Sequence, residues 1–260
     1  MRRYAELNPE ELDKAWSEKS PAIIAWGALE WHGPHLPLGL DGIVAEHFAT
    51  KLAESTNGVL LPACWMPITT LPHPSSLQIR TDAMRSILDD LLEGLYSSGA
   101  RVVCIVTGHY AQGHEIEMYE AAIRAMERHQ NYRVLAATPL ELLGDDDLLD
   151  HAARWETAQL QAIQPELVHL EKLPEELKPR RCAVLGEDPR KANAKEGQEV
   201  LDKALKTWTE WLETIVATPD QSFLKEFYNN RRKSYSKYVR TYYMESWEQA
   251  LHDWWLTMDR

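Results

Sequence analysis

The chain predicts an open α/β fold, a mostly parallel sheet flanked by helices, and two observations carry that prediction. Apolar runs at residues 21–29, 102–106 and 132–137 show no polar alternation, which suits strands covered on both faces. Stretches of helical period separate them. Residues 82–97 carry Met84, Ile87, Leu88, Leu91, Leu92 and Leu95 and halt at Ser98 and Gly99, a C-terminal stop signal. Residues 115–130 repeat the stripe with Ile116, Met118, Ala122, Ile123 and Met126, and helices are also expected over 156–167 and 191–216. Strand alternating with helix is the doubly wound arrangement. From about residue 221 the chain turns rich in aromatic and charged residues, among them Phe223, Tyr228, Tyr238, Tyr242, Tyr243, Trp247, Trp254 and Trp255. The expected division is therefore a main domain over 1–220 and a helical extension over 221–260, packed on the core or on a neighbouring subunit.

Composition narrows the function. With 260 residues, 44% of them hydrophobic, the chain can bury a sizeable core. Its 28 basic and 40 acidic residues leave a net charge of −12. That field repels phosphate backbones, so nucleic acid is not an expected partner, while metal cations are well tolerated. No apolar h-region follows Met1, and no apolar run approaches the roughly 20 residues that span a bilayer. Cys64, Cys104 and Cys182 are odd in number and widely spaced; Cys64 and Cys104 sit within apolar sequence and read as core residues, and the protein as reduced and cytoplasmic.

The chemistry concentrates where strands stop. Directly after the first apolar run comes Glu30-Trp31-His32-Gly33-Pro34-His35-Leu36-Pro37, followed by Asp41. Glu30 and His32 are two apart, so in extended backbone they point the same way. Two carboxylates and an imidazole so close are ligands that Zn²⁺ or Mn²⁺ takes, and burying them without a cation would be costly. A second polar cluster, Thr107-Gly108-His109-Tyr110-Ala111-Gln112-Gly113-His114-Glu115, follows another apolar run and faces the same crevice beyond the strand ends. A third, Asp150-His151-Ala152-Ala153-Arg154-Trp155-Glu156-Thr157, opens a predicted helix and could aim Glu156 at a metal. His114 and Glu115 are expected to cap a helix. The roles of His73 and His151 stay open, and Asp145, Asp146 and Asp147 read as a solvated loop.

The first cluster resembles the signature of the creatininase (creatinine amidohydrolase) family, Glu-x-His-Gly-x-His-Leu-Pro followed by a metal-binding Asp. Thr107-Gly108-His109-Tyr110 resembles that family's Asn-Gly-His motif, and Pro74-Ser75-Ser76-Leu77 sits where it has Pro-Gly-Thr-Leu. Residues 151–157 resemble its His-Ala-Gly…Glu-Thr-Ser element, and Gly186-Glu187-Asp188-Pro189 with Ala192 and Gly197 a later stretch. Trp31 stands for the usual Gln, Thr107 for Asn and Lys195 for Glu, and Ala111 replaces a Glu ligand of creatininase itself. The tail beyond about residue 220 matches nothing in the family.

The resemblance implies a Rossmann-like fold, hydrolysis of a small cyclic or linear amide, and a homo-oligomer, often a hexamer. It also implies one or two divalent ions per chain, Zn and/or Mn, with Fe a further option. On this reading Asp41 bridges two ions, Glu30 and His109 hold one, and His32 and Glu156 hold the other, Glu156 filling the gap at Ala111. Glu115, Glu187 and Glu196 compete for that place. His35 would shuttle a proton, Tyr110 would serve both catalysis and binding, and Ser76 and Trp155 would line the substrate pocket. Ring-opening C–C hydrolysis of a cyclic polyol ketone of the inosose type is the alternative reaction, and a non-catalytic metal-binding assembly protein the alternative class.

Overall fold

The computed structural model describes residues 1–235 and 246–258. Among these, β1 (Arg2–Arg3), β2 (Ala22–Trp26), β3 (Val59–Leu60), β4 (Val102–Thr107) and β5 (Arg133–Ala137) form one parallel sheet in the order β1-β3-β2-β4-β5. Every residue of β2, β4 and β5 is buried, as their unbroken apolar runs require. From β2 the chain crosses to β3 on one side and returns to β4 on the other. The carboxyl ends of β2 and β4 therefore flank the point where the winding reverses, where α/β sheets bind ligands.

The helices are α1 (Pro9–Ser17), α2 (Leu40–Ser55), α3 (Thr81–Ser98), α4 (Gln112–Arg128), α5 (Arg154–Ile163), α6 (Pro179–Cys182), α7 (Ala194–Ala217), α8 (Ser222–Ser234) and α9 (Trp247–Trp255). α2 packs on β2 and β4 beside α5 and α7, while α3 and α4 pack together with α4 on β5. Trp26, Phe48 and Trp208 fill the core; burying a Phe-sized side chain is worth roughly 1.5–3 kcal/mol. α3 ends at Gly99, whose φ of 111° an L side chain rarely adopts. α8 lies along β5, where the Tyr228 hydroxyl donates to the Val134 carbonyl and accepts from the Ala136 N–H. Among the described residues, no helix is long and apolar enough to cross a membrane.

Several boundaries differ from the sequence expectation. The first strand stops at Trp26 rather than at 29, because the Gly27 N–H leaves the ladder for the Cys64 carbonyl. α4 begins at Gln112, three residues early. α5 ends at Ile163, just before Pro165, which lacks the N–H a helix interior needs. α7 starts at Ala194 because Asn193 Oδ1 accepts the Lys195 and Glu196 N–H groups. Not anticipated at all were β1, β3, α1, α2 and α6. Tyr238, Tyr242 and Tyr243 lie outside the described residues.

Candidate metal centre

Glycine backbone brings the ends of β2 and β4 against the first turn of α2. A Cβ on Gly108 would lie 2.0 Å from the Asp41 carbonyl oxygen, and one on Gly27 would lie 2.3 Å from the Gly42 Cα. Only hydrogen fits at these contacts. They set Asp41, in the first turn of α2, between Glu30 and His32 beyond β2 and His109 beyond β4.

Asp41 meets a different imidazole with each oxygen. Its Oδ1 lies 3.0 Å from His32 Nε2, and its Oδ2 lies 3.3 Å from His109 Nδ1. Glu30 Oε2 is 2.9 Å from the same His109 nitrogen, and Glu156 Oε2 is 3.6 Å from His32 Nε2. Three sets of potential ligand atoms result, each within 4.8 Å: two that share Asp41, namely Glu30 with Asp41 and His109, and His32 with Asp41 and Glu156, and besides them Glu30 with His32 and His151. All five residues of the two sets that share Asp41 are at most 2% exposed.

The other ring nitrogens show which atoms are left bare. His32 Nδ1 is 3.0 Å from the Glu30 carbonyl oxygen and His109 Nε2 is 3.0 Å from that of Ile68, so each donates its N–H there. That assignment turns the lone pairs of His32 Nε2 and His109 Nδ1 onto the carboxylates, the tautomers that bind metals. His32 Nε2, Glu30 Oε2 and both Asp41 oxygens are buried without a hydrogen-bond partner. Buried acceptors facing acceptors need a cation, so the donor set fits one or two divalent ions. Protons otherwise take that place. Burial pushes the His32 imidazole down, yet Asp41 and Glu156 outweigh it and bring it up to about 10. Burial likewise opposes charge on His109 and on Asp41, but their mutual attraction, with Glu30 and His32, holds His109 well up and Asp41 well down. Glu156 is held well above the carboxylate range, by burial first.

Glu156 is presented by a strained turn. Ala152 is fully buried with φ 49°, a conformation that costs a non-glycine residue about 1 kcal/mol, and its N–H donates to Glu156 Oε2 at 2.6 Å. Asp150 secures the helix start by accepting the Trp155 N–H at 2.7 Å and the Glu156 N–H at 3.1 Å. Glu30 is braced by the Leu71 N–H.

A cavity of about 390 Å³ opens against the first ligand set and is lined by Glu30, His109, Thr69, Tyr110, Gln112, Asp150 and His151, with Leu71, Ala111, Leu149, Leu185, Leu251 and Trp254. Tyr110 thus stands in the cavity. His151, whose role the sequence left open, also faces it, its ring tilted at 31° to that of His32 with centroids 4.4 Å apart. Burial and the neighbouring His32 lower its imidazole to about 4. Its place in a stretch resembling the family's His-Ala element was the available signal. Leu251 and Trp254 carried none.

Other expected residues lie elsewhere. His35 is fully buried outside the cavity lining, its Nε2 3.5 Å from Thr157 Oγ1, and burial lowers it to about 4. Ser76 accepts the Trp31 N–H at 3.1 Å and borders a second cavity with His73. Trp155 lines a third, beside Asp145, Asp146 and Asp147, under the Arg154 guanidinium at 4.8 Å. His114 and Glu115, expected as caps, are buried side chains of α4 because the helix starts earlier. His114 Nδ1 accepts the Ile68 N–H at 3.4 Å, and Glu115 accepts the Tyr235 hydroxyl at 2.7 Å. Glu187 and Glu196 pair with Arg154 away from the ligands.

A family model for creatininase, described as creatinine amidohydrolase, matches residues 5–212. The creatinine amidohydrolase of Pseudomonas putida is 21% identical over 170 residues, an alignment covering 56% of this chain and 65% of that protein, so the chain spans just under two thirds of this relative. Two solved structures, a manganese creatininase and a mutant creatininase of Zn–Zn type, superpose with TM-scores of 0.69 and 0.70 at 17% identity. Each comparison covers 82% of this chain and 97% of the other.

Proposed function

The chain belongs to the creatininase family, and from that premise we propose that it is a metal-dependent hydrolase acting on a small cyclic or linear amide. The observation that carries this reading is the pair of buried ligand sets sharing Asp41 beside an open cavity. Glu30, Asp41 and His109 would hold one ion, and His32, Asp41 and Glu156 the other, zinc or manganese by the chemistry of the donors. Bound there, such ions supply an acidified water and polarise a carbonyl.

The residues of the chain do the rest. The carbonyls of Glu30 and Ile68 fix the ring orientation of His32 and His109, and the Leu71 N–H fixes Glu30. Tyr110, Thr69 and Gln112 offer hydrogen bonds that orient a substrate over Glu30 and His109. His151, facing the cavity beside the ligands as a neutral imidazole, is placed to take a proton from the attacking water and return it to the departing nitrogen.

The lining also favours an amide over a polyol. A ring bearing hydroxyls on all sides would press several of them against Leu71, Leu149, Leu185, Leu251 and Trp254 without partners, an unfavourable burial. A cavity open to the ligands favours an enzyme over an assembly protein, which needs no free coordination position.

The test is turnover by zinc- or manganese-loaded protein of creatinine, small cyclic amides, formamides and inososes. Amide cleavage that chelators abolish and metal restores is expected. Turnover of inososes alone would overturn the amide reading, and no binding of either metal would overturn the metal centre. We also propose a cytoplasmic homo-oligomer, checked by fractionation and by light scattering.

A further inference from the structure

We propose that α9 roofs the substrate cavity and that Leu251 and Trp254 select amides carrying a flat apolar group on the side away from the scissile carbonyl. This rests on the metal-centre reading for the orientation of the substrate. α9 lies beyond residues 5–212, so the roof is built from sequence outside the part matched to the family.

Both ends of α9 are anchored, and between them Ala250 is buried and Leu251 packs against the cluster that holds Trp255. Trp247 is 1% exposed, donates its indole N–H to Glu117 at 3.1 Å, and packs where a Cβ on Gly113 would come within 3.1 Å of its ring. At the other end Trp255 is buried among Leu36, Leu40 and Leu71 and sits edge-on to Trp31, with centroids 6.4 Å apart. Trp31 adjoins His32, so the second anchor ties the roof to the ligand loop. Residues 247, 251, 254 and 255 follow helical spacing and share one face. Pinning 247 and 255 therefore turns Leu251 and Trp254 toward the cavity that contains Glu30 and His109.

Trp254 keeps 40% exposure, although nothing in the core requires a large aromatic there. An indole edge at a cavity mouth offers a broad face to a planar apolar group at little conformational cost. The same position offers no hydrogen-bonding partner beyond its own indole N–H, so a polar group projecting to the roof would be left dry. Contacts of this kind discriminate by about 10–200-fold.

The test uses zinc-loaded protein and two hydroxamates, which chelate metal through the same head and differ in what they project toward the roof. Benzohydroxamate should bind the wild type about tenfold or more tighter than acetohydroxamate by calorimetry. Trp254→Ala and Leu251→Ala should each lose most of that preference while keeping acetohydroxamate affinity, with the melting temperature also kept in Trp254→Ala, and Trp254→Phe should restore part of it. An unchanged preference in both alanine variants would overturn the roof. A readout without metal separates this from the centre itself: in metal-free protein labelled with 5-fluorotryptophan, benzamide should shift the Trp254 resonance, assigned by its loss in Trp254→Phe. A resonance that stays put at saturating benzamide overturns the roof; failure of both hydroxamates to bind zinc-loaded protein while it moves overturns only the metal centre.

Discussion

Glu30 and His109 reach Asp41 from the segments that follow two adjacent strands, with His32 on the same loop as Glu30, whereas Glu156 reaches it from a helix much later in the chain. The first set is the tighter, with His109 Nδ1 at 2.9 and 3.3 Å from its two carboxylates. In the second, Glu156 stands 3.6 Å from His32 and depends on the Ala152 turn and on Asp150 for its position. A set whose ligands all follow adjacent strands and one that also draws on a distant helix start should lose their ions at different rates. The difference teaches that a shared ligand does not make two positions equivalent; the support behind each partner decides.

Removing the shared residue should have the largest effect. Asp41→Ala is expected to empty both sets and to lower activity by more than the 10–100-fold that changes outside the ligand set cost. His35→Ala, which alters a buried side chain outside the cavity, should retain both ions. Elemental analysis with kcat/KM checks both, and full metal content in the Asp41 variant would break the comparison at its centre.

Glu156→Gln should separate the two sets. We expect about one ion fewer per chain and a loss of about 100-fold in kcat/KM, with the Glu30 set still loaded. Loss of both ions together would show that the sets are one cooperative unit.

Gly108→Ala acts on the support of the first set. Its methyl group would meet the Asp41 carbonyl at 2.0 Å, which backbone shifts must relieve at about 1–3 kcal/mol. Urea unfolding should show that loss, and the Glu30 set should weaken more than the Glu156 set.

The smallest effect tests a buried cluster outside both sets. Burial raises the Glu115 carboxyl well above its ordinary value, and Glu141 nearby adds to the shift, against Tyr235 and Arg231. A folded-state pKa above the unfolded one gives stability that is full below the unfolded pKa and is lost as pH rises through the folded value. Melting of the wild type should therefore fall as pH rises from the carboxylate range, and Glu115→Gln should flatten that slope. Equal slopes in both proteins would refute the assignment.

Much of the site was legible because its residues are local in sequence. Glu30, His32 and Asp41 lie within a dozen positions, and the apolar runs before Glu30 and His109 marked both strand ends. What could not be read depends on the rotation of side chains or on distant packing. A turn at Gly33, with φ 74°, precedes His35, which ends buried beside Thr157, a direction that spacing does not encode. Two-residue strands such as Arg2–Arg3 hold no period to detect. Helix α2 starts directly after the ligand loop, and its buried face carries Asp41 and Gly42, which interrupt the apolar stripe that Val44, Ala45, Phe48, Ala49, Leu52 and Ala53 continue. The α9 roof joins positions 247–255 to a motif more than two hundred residues earlier, a juxtaposition only the fold supplies.

The Tyr228 hydroxyl on β5 bears on how copies of this chain can associate. An open outer strand is a template that another chain can extend by pairing, in register or out of it. Here one hydroxyl occupies both the Ala136 N–H and the Val134 carbonyl that a visiting strand would need. With β5 blunted in this way, a ribbon continuing from one subunit to the next is closed off on that side. Extension of the sheet by a like chain would have to use the opposite outer strand, β1, which is only two residues long.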